Sequence, residues 1–153
     1  MKPPRNVWKR YALRREYPSR PLVGVGAVIV RDSSVLLVKR EQEPAKGLWS
    51  FPGGLVDIGE PVDEAARREA KEETGIDIHI EKLLDLIDNV IHDDHGKVRF
   101  HYVVAMFLAH PLTAEAKPSS DVSEAKWVAF SDLSSYQMTK TARKLLLKIH
   151  ATA

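Results

Sequence analysis

The chain has 153 residues, enough for one domain that buries its own core. With 44% apolar residues, 29% charged residues and a net charge of +2, it excludes a disordered chain and any global attraction to nucleic acid or anionic lipid. It has no cysteine, hence no disulfides and no thiolate chemistry, which fits a cytoplasmic protein. Its apolar runs stop well short of the roughly 20 residues that cross a membrane, and its basic N-terminus lacks the apolar core of a secretory signal.

Residues 1–20 read as a basic extension ahead of a single domain at residues 21–153. Lys2, Arg5, Lys9, Arg10, Arg14, Arg15 and Arg20 alternate there with Trp8, Tyr11 and Tyr17. Such a run is either an arm for RNA or a partner, or a solvated extension that packs its aromatics on the body. "LVGVGAVIV" (22–30) reads as a buried strand in which Gly24 and Gly26 mark a close backbone approach or a bulge. "RDSS" is a turn and "VLLVKR" (35–40) a second strand, together a hairpin. After the loop "EQEPAKG", Trp49 and Phe51 alternate around Ser50, and Pro52-Gly53-Gly54 reads as a turn.

A helix follows with clear ends. Pro61 suits its first turn, Asp63 and Glu64 suit its positive end, and Gly75 suits a left-handed stop. Residues 76–91 fit strand or helix by periodicity; a strand at "IDIHI" and a longer twisted one after it is the expectation. "HDDHGK" is a hairpin turn, 98–109 a strand, 110–124 a polar loop and 125–130 a short strand. "MTKTARKLLLKIH" is an amphipathic helix with Leu145, Leu146 and Ile149 inward. Strands and helices in mixed order imply an α/β mixed sheet covered by helices.

The helix carries the chemistry. Residues three and four apart share a face, so Glu69, Glu72 and Glu73 project together, beside a small apolar stripe of Val62, Ala66 and Ala70. Arg68 stands four residues from both Glu64 and Glu72 and can hold a carboxylate in place. Carboxylates crowded this way repel unless something offsets them. With backbone oxygens of the preceding Pro-Gly-Gly segment nearby, the set selects hard cations, Mg²⁺ or alternatively Mn²⁺. The competing reading is an exposed, salt-bridged surface helix.

"GLVDIGEPVDEAARREAKEETGI" (54–76) resembles the Nudix box, with Gly54, Glu60, Arg68, Glu69, Glu72, Glu73, Gly75 and Ile76 at its fixed positions and Ala70 where a larger aliphatic residue is frequent. "LWSFPGG" before it and "AKWVAF" after it also look like elements of that family, so the resemblance runs over most of residues 22–133. It implies the Nudix α/β/α sandwich, with the box as a loop-helix-loop. It also implies divalent-metal-dependent hydrolysis of the pyrophosphate bond in a nucleoside diphosphate linked to another moiety. Carried over by position, Glu69 and Glu73 are metal ligands, Glu72 a ligand or a supporting carboxylate, and the Gly53 carbonyl completes the set. Arg68 orients the glutamates. Glu60 stands about 13 Å along the helix axis from Glu69, which implies an orienting or water-mediated part. The general base need not lie in the box; Glu115, Asp121 and Glu124 are candidates, Glu124 foremost.

Substrate class is less legible. ADP-ribose or a related nucleotide sugar is the first expectation, because "DDHGKVRFHYVVAMFLA" resembles a hairpin of family members grouped with ADP-ribose pyrophosphatases. Pool-sanitising hydrolysis of nucleoside triphosphates, as in MutT-type members that share "WSFPGG", is the alternative. Below both rank an RNA 5′-end pyrophosphohydrolase, kept in view by the basic N-terminus, and a non-catalytic nucleotide sensor, against which the presence of every box glutamate counts. The expected partner is a small nucleotide, with neither membrane nor nucleic acid, and a homodimer is compatible with the apolar strands. Arg40 at a strand end is a candidate for a phosphate, Phe51 or Trp49 for a base, and Gly54 for close substrate approach. His92 and His95 read as exposed turn residues. His101 and Tyr102 point to opposite faces of their strand.

Overall fold

The structure is a computed structural model and describes residues 14–113 and 122–152. In chain order these form β1 (Leu22–Arg31), β2 (Ser34–Arg40), β3 (Trp49–Ser50), β4 (Gly53–Leu55), α1 (Val62–Thr74), β5 (Ile78–His92), β6 (Val98–Pro111), β7 (Val122–Ala129), a 3-10 helix (Phe130–Ser135) and α2 (Lys140–Thr152). The sheet runs β3-β2-β1-β6-β5, with β4 added on β1 and β7 on β2. β1 and β6 are parallel, while the other pairs are antiparallel, giving the mixed sheet expected from the element order.

β1 is a nearly unbroken run of buried valine, isoleucine and alanine because both of its faces are covered. Val25, Ala27 and Ile29 meet the face carrying α1, whose Ala65, Ala66 and Ala70 are fully buried there. Val28 points the other way and joins Val35, Leu37, Phe51 and Met106 under Ala142, Leu145 and Leu146 of α2. Helix, sheet, helix is therefore the layer order, the α/β/α sandwich that the resemblance implies. Pro61 caps α1 in an extended conformation, and Gly75 ends it at φ 75° with its N–H on the Lys71 carbonyl, 2.9 Å away.

Several local expectations change. Gly53 and Gly54 lie in a strand, β4, paired to Gly26 and Val25, where a turn was expected. The Cβ of an alanine at Gly26 would meet the Met106 side chain, and one at Gly53 would stand 2.3 Å from the Val25 carbonyl oxygen. Only bare backbone lets the strands come together here. Residues 78–92 form one strand, with register shifts at Ile80/Lys82, Leu83/Asp85 and Ile91/His92 that scramble its alternation. Val62 is exposed, and Ala65 takes its expected place in the buried stripe. β7 begins at Val122, so Glu124 lies in a strand and not in the loop.

Candidate active site at the β4–α1 junction

The last turns of α1 stand over β4, and its carboxylates reach the two glycines. Glu69 places its carboxyl where a side chain at position 54 would begin: a Cβ on Gly54 would lie 2.4 to 2.6 Å from its three carboxyl atoms. Glu73 accepts a 3.3 Å hydrogen bond from the Gly53 N–H. Both glutamates are buried, each 7% exposed. A buried carboxylate is costly unless paired or hydrogen-bonded, and the arrangement supplies both remedies.

Arg68 is the main one. Its guanidinium grips Glu60 through two bonds, Nε to Oε2 at 2.7 Å and Nη2 to Oε1 at 2.8 Å. Its Nη1 donates to Glu69 at 2.7 Å and to Glu72 at 3.2 Å, and Nη2 donates to the Leu55 carbonyl at 3.0 Å. The planar fork suits this many-sided grip, which an ammonium could not reproduce. The Glu60 hydrogen bonds, ahead of the opposing effect of burial and of the pull of Glu69, hold Arg68 well above the ordinary arginine range. Glu60 is fixed in turn by the Asp57 N–H at 3.1 Å. It touches the same guanidinium as Glu69. The helix-spacing rule paired Arg68 with Glu64 and Glu72; it could not anticipate Glu60, which precedes the helix and reaches back to it.

A second group gathers around Arg40, at the end of β2. Its Nε donates to the Pro44 carbonyl at 2.7 Å. Burial pushes its pKa down, while Glu73 and Tyr102, both within electrostatic reach, support the charge. Burial raises the Tyr102 phenol, opposed by Arg15 and Arg40. Tyr102 shares a strand face with Phe100, on which it stacks at 6.2 Å, and His101 faces the other way beside Pro18 and Arg20.

Other candidates are placed elsewhere. Phe51 and Trp49 are buried in the α2-side core, Trp49 edge-on to Tyr136 at 5.2 Å. Turning Phe51 out to stack a base would forfeit about 1.5–3 kcal/mol of burial, so the structure gives it a packing part. Glu124 lies opposite Lys39 on β7, half exposed, with Lys126 Nζ at 3.8 Å. His92 and His95 line an open cavity of about 370 Å³ with Glu16, Tyr17, Asp93, Asp94 and Arg99, and none of the α1 carboxylates borders it. Glu115, Asp121, Trp8 and Tyr11 lie outside the described residues. Among the described residues no three His, Cys, Asp or Glu side chains converge to hold a metal ion, and no helix is long and apolar enough to cross a membrane.

Two buried helix glutamates thus meet a glycine backbone, and one arginine holds Glu69 beside Glu60 and Glu72. The chain belongs to the NUDIX domain family, whose model matches residues 20–149. It is 35% identical over 113 residues to an ADP-ribose pyrophosphatase of Methanocaldococcus jannaschii, covering 74% of this chain and 64% of that protein. It is 40% identical over 89 residues to the low-salt glycan biosynthesis protein Agl8 of Haloferax volcanii, covering 57% of each. The chain thus spans less than two thirds of the length of these relatives. Among solved structures it is similar to a MutT NUDIX hydrolase from Burkholderia pseudomallei, with TM-score 0.75 and 37% identity, covering 86% of this chain and 99% of that one.

Proposed function

We propose that the chain hydrolyses the pyrophosphate bond of a nucleoside diphosphate linked to a second moiety, with ADP-ribose or a related nucleotide sugar as substrate. The observation that carries this reading is the meeting of Glu69 and Glu73 at the Gly53-Gly54 backbone, with Arg68 holding Glu69. Members of this family generally need a divalent metal. The donor set fits one: two buried carboxylates, Glu72 beside them and bare glycine carbonyl backbone, all hard oxygen donors suited to Mg²⁺ or Mn²⁺. Glu69, Glu73 and the Gly53 carbonyl would hold it, with Glu72 as ligand or support. When bound, such an ion neutralises phosphate charge and acidifies water.

The protein's own part is positional. Arg68 keeps Glu69 and Glu72 aimed, and Glu60 keeps Arg68 in place. Gly54 gives the Glu69 carboxylate the space next to the strand. Arg40, half-buried and within reach of Glu73, supplies a cation for phosphate oxygens. Glu124, on the strand beside β2, is the proposed proton acceptor for the attacking water.

ADP-ribose is favoured by the similarity to the archaeal pyrophosphatase. Hydrolysis of nucleoside triphosphates is the second reading, favoured by the similarity to the MutT hydrolase. Incubation with Mg²⁺ or Mn²⁺ and a panel of ADP-ribose, other nucleotide sugars, dinucleotides and triphosphates separates them. AMP plus ribose phosphate from ADP-ribose supports the first; a monophosphate plus pyrophosphate supports the second. No turnover of any of them rejects both.

A further inference from the structure

Asn89 of β5 and Tyr102 of β6 stand directly opposite one another in the β5–β6 ladder, so both side chains leave the same face of the sheet. Both are half-buried. Among the described residues, neither the Asn89 amide nor the Tyr102 hydroxyl has a hydrogen-bond partner. Their neighbours on that face are apolar. On one side lies the pair Ile87 and Val104, which packs on the core beneath α2; on the other lies the pair Ile91 and Phe100. The Phe100 ring, 6.2 Å from that of Tyr102 and tilted from it by 16°, sets the Tyr102 plane. An aromatic plane and a primary amide thus share an apolar setting with their polar atoms unused. Partly desolvated polar groups favour a ligand that offers them bonds.

Register relates this pair to the carboxylates. Tyr102 lies beside Leu22 of β1, and Val25 and Gly26, three and four residues further on, are the partners of Gly54 and Gly53. The offset is about 10–13 Å along the strand and about 10 Å across two strand spacings, the scale of an extended nucleoside diphosphate. β4 pairs with β1 alone, and Gly53 gives its N–H to Glu73. Glu73 therefore stands at the outer edge of β4, where the α1 and α2 faces of the sheet meet. A carboxamide carries an acceptor and a donor side by side, matching the N6 amino donor and N7 acceptor of adenine. We propose that Tyr102 and Asn89 form the base subsite of this hydrolase, with adenine stacked on the Tyr102 ring and its edge bonded by the Asn89 amide. This rests on the hydrolase reading above and names the base it selects.

The full chain is compared with Asn89→Ala, Tyr102→Ala and Tyr102→Phe in steady-state kinetics with Mg²⁺. The substrates are ADP-ribose and inosine diphosphate ribose, whose base has an oxygen acceptor where adenine has its amino group. Where the parent turns over triphosphates instead, ATP and ITP take their place. Calorimetric titration of AMP and of ribose 5-phosphate separates base from phosphate binding. The parent should prefer the adenine substrate about tenfold in kcat/KM, the scale of one well-placed amide pair. Asn89→Ala should erase that preference by weakening the adenine substrate alone. Tyr102→Ala should raise KM for both substrates and Kd for AMP about tenfold, the scale of base–aromatic stacking. Tyr102→Phe, which keeps the ring, should recover most of that loss. Ribose 5-phosphate should bind all four proteins alike. An active parent without base preference, or variants that match it in KM and preference, overturn the proposal and leave the hydrolase reading intact. Equal weakening of AMP and ribose 5-phosphate by Tyr102→Ala also overturns it, since the loss is then not of base contact. A parent that turns over none of these nucleotides overturns both readings.

Discussion

Two arginines in this molecule do similar things with different consequences. Arg68 grips Glu60, Glu69 and Glu72 under the sheet-facing side of α1, with 18% of its side chain exposed and 5% of Glu60's. Arg99 grips Glu16 on the surface, with the two side chains 40% and 50% exposed. In both, hydrogen bonding to a glutamate is the first cause that raises the arginine pKa. What separates them is water. Around Arg68 solvent cannot replace a lost partner, so each group depends on the others; around Arg99 it can. The interior web therefore ties the carboxylates around α1 to one another, whereas the surface pair holds Glu16 against the β5–β6 hairpin.

Variants can break or sharpen that contrast. The largest effect on rate is expected from Glu73→Gln, which removes one carboxylate charge yet keeps its shape: kcat/KM should fall by orders of magnitude with the circular dichroism spectrum unchanged. Near-normal turnover would reject the site. Glu124→Gln should lower kcat about a hundredfold with KM preserved. The adjacent glycines divide the two roles. A methyl at Gly54 meets the flexible end of Glu69, so Gly54→Ala should misplace that carboxylate and cost about a hundredfold in rate with a nearly unchanged melting midpoint. A methyl at Gly53 meets the Val25 backbone, so Gly53→Ala should show up in denaturant titration as a loss of about 1–3 kcal/mol. Last come the arginines themselves. Arg68→Ala leaves buried carboxylates without their cation and should cost about 3–5 kcal/mol in the same titration, while Arg99→Ala should leave the midpoint within measurement error. Equal losses at the two arginines would dissolve the comparison.

Alkali does not easily undo the interior web. Arg68 has its folded pKa raised, so its contribution is fully present below the unfolded pKa and is lost only as pH rises through the folded one, above the working range.

Much of this was legible because residue type and spacing carried it. Pro61 and Gly75 bounded α1, the valine run marked the central strand, and Glu69 and Glu73 at four-residue spacing had to share a face. The rest depended on tertiary contacts. Glu60 meets Arg68 because the chain from Asp57 folds back, which helix periodicity does not encode. β5 resisted division because its register shifts break the alternation that reveals a strand. Gly53 and Gly54 read as a turn because glycine pairs usually do, and only the approach of Glu69 and Val25 explains them in a strand.

The direction of α1 has a further consequence. Its amide dipoles all point the same way, leaving about half a negative charge at the end where Glu72 and Glu73 stand. The helix thus adds its own field to that of the carboxylates it presents. Without a cation, this end of the molecule stores unfavourable potential. Neutralising it should firm the fold: in chelator, Glu73→Gln should melt above the parent, and added Mg²⁺ should raise the parent more than the variant. The polarity of one helix would then have made the protein easier to stabilise by disabling it than by preserving what it does.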